Sequence, residues 1–148
     1  MNVKQFVAGA VVGAIVLLIA GYVIWDMLFA SFFAMNTGGA TGVDRQEWIL
    51  WPMVLGSLSH AALITLGVGT RKQPGSLVEG IKVGAVVGFL IWFTADFTLY
   101  AIQDVNNLTG TIADSLLEAV RGAITGAAIA VVVGMLGGAR NRATPSPA

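Results

Sequence analysis

Four long apolar stretches, at about residues 6–33, 48–69, 80–102 and 115–138, leave this chain few folds to choose from. The first holds one charge, Asp26, and the second holds none. From Val83 to Ile102 the third is broken only by Asp96, and the fourth holds no charge from Gly122 to Gly138. A hydrocarbon core about 30 Å thick takes roughly 20 helical residues to cross. Each stretch meets that length, the fourth when its helix begins ahead of Glu118. None alternates polar and apolar residues as the strands of a membrane barrel would. Composition agrees. Charged residues make up 11% of the 148, against about 25% in a soluble domain, too few to cover a small soluble fold. There is no Cys. A nucleic-acid binder, a disulfide-built module and a disordered tail are excluded together. The expected fold is an all-α membrane protein: one four-helix transmembrane bundle over residues 1–142, with a mobile tail at 143–148. The first stretch exceeds the 7–15 residues of a signal-peptide core and is read as a retained helix.

The basic residues sort by side. Lys4, Arg71, Lys72, Lys82, Arg140 and Arg142 share one side of a four-span topology, and only Arg45 and Arg121 belong to the other. The positive-inside rule puts both termini in the cytoplasm. Trp25, Trp48 and Trp51 then fall at the outer interface. Residues 71–76 read as a turn containing Pro74 and Gly75. Thr111 and Asp114 have the spacing of a capping box that opens the fourth helix, and Asp44 and Glu47 have it for the second. Pro52 then either kinks the second helix or sits in its first turn.

Gly-Ala-Val-Val-Gly occurs twice, at 9–13 and 84–88. Each copy is followed at similar distance by a matching segment: Asp26-Met-Leu-Phe-Ala in one, Asp96-Phe-Thr-Leu-Tyr-Ala in the other. Asn36-Thr-Gly-Gly and Asn107-Leu-Thr-Gly come next. The even helices align loosely, with Gly56 and His60 against Gly122 and Gly126. This pattern points to two duplicated helical hairpins in parallel topology. Small residues recur at spacing four: Gly9 and Gly13; Gly80, Gly84 and Gly88; Gly122, Gly126 and Gly134. Such rows let helices approach closely in lipid. They serve packing within the chain, or in part a homo-oligomer interface.

Ionisable groups at membrane depth are costly and are candidate sites. Asp26 lies near the outer interface. Asp96 lies 14 residues beyond Lys82, about 21 Å along a helix, so it needs a partner. Arg121 is the expected one, bridged by Tyr100, with His60 as the alternative donor. Glu118 and Arg121 are three apart and can pair. His60 falls near mid-membrane, as a packing residue, a proton relay or a ligand to a pigment or haem. The candidate polar site is Asp26, His60, Asp96, Tyr100, Glu118 and Arg121. No nucleophile set, phosphate loop or metal-ligand spacing is present, so no enzyme activity, metal or cofactor is expected.

Trp25-Asp26 with the aromatics after it, the loop 34–42, the segment 84–88, Asp96, Tyr100 and Asn107-Leu-Thr-Gly together resemble the small four-span bacterial integral membrane proteins of unknown function. That resemblance implies a bacterial inner-membrane setting and no particular activity. The expected role is a non-enzymatic membrane protein acting through helix packing, as a homo-oligomer or an accessory subunit of a membrane protein complex. The partners are the lipid bilayer and membrane proteins, with no nucleic acid. The alternative is a small carrier or binding protein, for a small molecule or protons, built on the intramembrane Asp and His residues.

Overall fold

The computed structural model describes residues 1–43, 45 and 47–143, with residues 138–143 as backbone only. Helix α1 (Val3–Gly21) runs into a π-helical turn (Tyr22–Leu28) and a short α2 (Ala30–Met35). Three long helices follow: α3 (Leu50–Gly69), α4 (Leu77–Ile102) and α5 (Leu108–Ala143). Four segments are long and apolar enough to cross a membrane: Val3–Leu28, Leu50–Gly69, Leu77–Ile102 and Leu108–Gly137. The fold is the all-α bundle that the apolar runs predict, and its helices are those of a multi-pass membrane protein.

Local chemistry sets the helix ends. Asn2 and Gln5 form a reciprocal capping box that opens α1, both bonds at 2.9 Å. Ser76 caps α4. Asn107 opens α5, accepting from the Gly110 amide at 3.0 Å. Thr111 and Asp114 therefore lie inside α5, contrary to the capping box expected there. Helix α3 begins at Leu50, which leaves Pro52 in the first turn, where its missing N–H costs nothing. The capping box expected at Asp44 and Glu47 does not open α3, whose N-cap is Ile49, and Asp44 itself and the tail beyond residue 143 lie outside the described residues. The first apolar run is not one helix to residue 33. It leaves helical geometry at Phe29 (φ −115°) before α2.

Glycine decides how close the helices come. A Cβ at Gly84 would overlap the carbonyl oxygen of Gly122, one at Gly80 that of Gly126, and one at Gly88 that of Glu118. Helices α4 and α5 thus lie backbone to backbone over residues 80–88 and 118–126. Gly9 and Gly13 admit Thr65 and Ala61 of α3 together with Ile129 of α5, and Gly134 lies against Gly75. The rows expected to drive helix packing are occupied within the chain. Ile64, Val68, Val83, Ile129 and Val133 fill the bundle at the end that holds the N-terminus, here the near end.

At the opposite, far end the two loops zip together. Gly38 N donates to Val105 O at 2.7 Å, Ala40 N to Asp104 O at 2.8 Å and Asn107 N to Asn36 O at 2.9 Å. The Asn107 side chain donates to that of Asn36 at 3.2 Å. The aligned Asn-containing segments of the two hairpins are therefore neighbours in space.

The hairpins differ in one respect that matters for function. Residues 50–56 of α3 are exposed on every face, and its buried positions begin at Ser57. His60 occupies the position that aligns with Gly126, where α4 and α5 are in backbone contact. An imidazole cannot be accommodated at such a contact. The far half of α3 therefore stands away from the bundle.

Candidate functional site

Two features meet in the far half of the molecule: a polar cluster within the bundle and an apolar cleft beside it. Asp114, Glu118 and Arg121 follow one another on α5 at spacings of four and three, which places them on one face. Glu118 Oε1 is 2.9 Å from Arg121 Nη1, and the two side chains are 2% and 14% exposed. This buried pair is the one that the i,i+3 spacing predicts. Trp25 Nε1 donates to Asp114 Oδ1. The Arg121 guanidinium also lies 5.3 Å from the Trp25 ring centroid and 6.0 Å from that of Trp92, cation–π distances to both. Gly21 makes room for it, since a Cβ there would stand 3.2 Å from Arg121 Nη1.

Asp96 is buried, but Arg121 is not its partner. Ser115 Oγ, on the facing side of α5, lies 2.8 Å from Asp96 Oδ2 and 3.2 Å from Thr111 O. Depth along one helix set the height of Asp96. It carried no information on the rotation of α5, which turns Ser115 toward α4 and Arg121 toward the π-turn. Tyr100 is 45% exposed and bridges nothing. Asp26 is exposed within the π-turn.

The cleft lies between the π-turn, the splayed half of α3, and α4 and α5. It encloses about 860 Å³, within the ordinary range for small-molecule sites. Leu50, Met53, Val54 and Leu63 form its apolar wall on α3, and each is at least 41% exposed, so the cleft opens on the flank of the bundle. His60, Trp92 and Arg121 stand at its inner side. A smaller cavity of about 300 Å³ lies beyond Trp25, Trp92 and Arg121 and reaches Asp114 and Glu118. Those three side chains border both spaces.

Four buried polar atoms in this region have no hydrogen-bond partner: His60 Nε2, Trp92 Nε1, Arg121 Nε and Glu118 Oε2. Buried polar groups are nearly always satisfied, because leaving one bare costs about 1–3 kcal/mol. Three of the four belong to residues lining the large cleft. No group of three or more His, Cys, Asp or Glu able to hold a metal ion occurs among the described residues.

Of the sequence candidates, the structure joins Glu118 to Arg121 and puts His60 and Asp26 on the same cleft as Arg121. Asp96 sits behind them and Tyr100 apart. Trp25, Trp92, Asp114 and Ser115 were missed. Spacing offered a signal for two: Asp114 lies four residues before Glu118, and Trp92 four before Asp96. No protein-family model, curated protein or solved structure matches the chain.

Proposed function

We propose that this protein is a small, non-enzymatic membrane protein that binds or carries a membrane-soluble small molecule in the cleft between the π-turn and α3. One observation carries the reading: an apolar cleft of about 860 Å³ opens on the flank of the bundle, with the polar residues Asp26, His60 and Arg121 among those that line it. A bundle built for packing alone would bury an apolar seam there, as α4 and α5 do along their glycines. Those rows supported association as the function, and their contacts within the chain weaken that argument. We propose a bacterial inner-membrane setting on the resemblance given above, with both termini cytoplasmic on the distribution of Lys and Arg.

The chain has no Cys, so a single introduced thiol reports on its own surroundings. Ser59 is exposed and lines the cleft, while Ser115 is buried and packed against Asp96. In lipid vesicles, Ser59→Cys is expected to react with a pyrene maleimide and Ser115→Cys to remain unlabelled. Equal protection of both thiols would mean that the cleft is closed in lipid, and the proposal would fall.

A further inference from the structure

The charge on the cleft wall is one-sided, which deepens the reading above and rests on it. Two charged side chains line the cleft, Asp26 and Arg121. Their situations differ. Arg121 is 14% exposed and held to Glu118 at 2.9 Å, so its charge is answered inside the bundle. Asp26 is exposed in the π-turn. The ion pairs among the described residues are Arg71–Glu79, Lys82–Glu79 and Arg121–Glu118, which leaves Asp26 without one. The α3 wall is aliphatic from Leu50 through Met53 and Val54 to Leu63, about 20 Å of helix.

An occupant of the cleft strips water from whatever it covers. A neutral head set against Asp26 would leave a carboxylate desolvated with no counter-charge. An anionic head would add like-charge repulsion to that cost. A cationic head replaces the lost water with an opposite charge, and the pair gains as the surroundings become less polar. We infer that the cleft takes a cationic amphiphile, with an ammonium or guanidinium head paired to Asp26 and an apolar tail along Leu50, Met53, Val54 and Leu63. The tail enters from the lipid through the open flank, and the head stays with the exposed π-turn.

Ser59 lies four residues before Leu63 on the same wall, so a bound tail covers a thiol placed there. The test uses the full-length Ser59→Cys protein in lipid vesicles and asks which probe slows its reaction with pyrene maleimide. Dodecyltrimethylammonium, dodecanol and dodecyl sulfate share a tail and differ at the head, and are compared at matched mole fractions in the bilayer. The ammonium is expected to protect at a mole fraction about ten-fold below either of the others. Asp26→Asn, an isosteric change at an exposed side chain, is expected to bring the ammonium to within about two-fold of dodecanol. Asp26→Glu is expected to keep most of the preference. Equal protection by dodecanol and the ammonium overturns the inference and leaves the cleft standing as a binding site. Stronger protection by the sulfate overturns it in favour of an anionic head at Arg121, and also leaves the cleft. An ammonium preference unchanged in Asp26→Asn overturns it too, because partitioning into the bilayer would then account for the preference. A thiol that labels at one rate with every probe overturns both the inference and the proposed function.

Discussion

Replacing Gly84 by Ala tests whether α4 and α5 are in backbone contact. The added Cβ overlaps the Gly122 carbonyl oxygen and stands 2.7 Å from the Gly122 carbonyl carbon and 3.0 Å from Gly126 Cα. Carbon atoms pack at about 3.5–4.0 Å, so the helices must separate by roughly 1 Å, and no rotamer relieves a clash with backbone. Overpacking of this kind costs about 1–3 kcal/mol, and a gap of that size forfeits a quarter to a half of each dispersion contact along the seam. Ala recovers about 0.8–1 kcal/mol over Gly in helix propensity. The net expectation is a loss of about 1–2 kcal/mol. Gly56 is the control. A Cβ there meets nothing within 4 Å, so Gly56→Ala keeps only the propensity gain and is expected to be neutral or slightly stabilising. Thermal unfolding of both variants in one detergent, followed by the monodisperse fraction, gives opposite signs relative to the wild type. A Gly84→Ala protein that melts at or above the Gly56→Ala protein would refute the backbone contact.

Glu118→Leu leaves the Arg121 guanidinium buried without its counter-charge and is expected to cost about 3–5 kcal/mol. Glu118→Gln, which keeps an acceptor for Arg121, is expected to melt clearly above it, and the reverse order would argue against the pair. Asp96→Asn still accepts from Ser115 and is expected to exceed Asp96→Leu by about 1 kcal/mol in a chemical or thermal melt; Leu at or above Asn would show that the Ser115 contact contributes nothing. A Cys placed at Thr41, in the far-end loop, is expected to react with a membrane-impermeant maleimide added outside intact cells. Labelling only after lysis would invert the proposed orientation.

The spans were legible because helix length in a bilayer is fixed by thickness, and apolar runs report that length directly. The pair Glu118–Arg121 was legible because both residues lie on one helix at contact spacing. Contacts between helices were not. The sequence indicates that Asp96 needs a partner but not that the partner is Ser115, because rotation of α5 about its axis depends on the whole glycine seam. The start of α5 was missed because two capping sets, at Asn107 and at Thr111, compete within a few residues. The π-turn carries Trp25 to Asp114 and Arg121, yet nothing in Tyr22–Leu28 breaks a helix. Gly21 directly precedes it, but a single Gly does not distinguish a π-turn from continuing α-helix. The cleft left a faint trace, His60 aligned with Gly126, but that difference acquires meaning only beside the backbone contact it prevents.

The glycine seam also bears on how the chain assembles. Helices α1 and α3 are synthesised first, yet the closest helix contact joins the last two. During insertion the first hairpin must wait in lipid, its Gly9 and Gly13 facing only part of their eventual neighbours, since Ile129 arrives with α5. The second hairpin needs no such wait and can zip as soon as both its helices are in the bilayer, after which α1 docks against a finished surface. A chain severed in the 71–76 turn and expressed as two halves should therefore yield a stable α4–α5 fragment and an α1–α3 fragment that survives only in its company. Pulse-chase of each half alone and of both together would read that asymmetry, and equal lifetimes for the two separate halves would remove it.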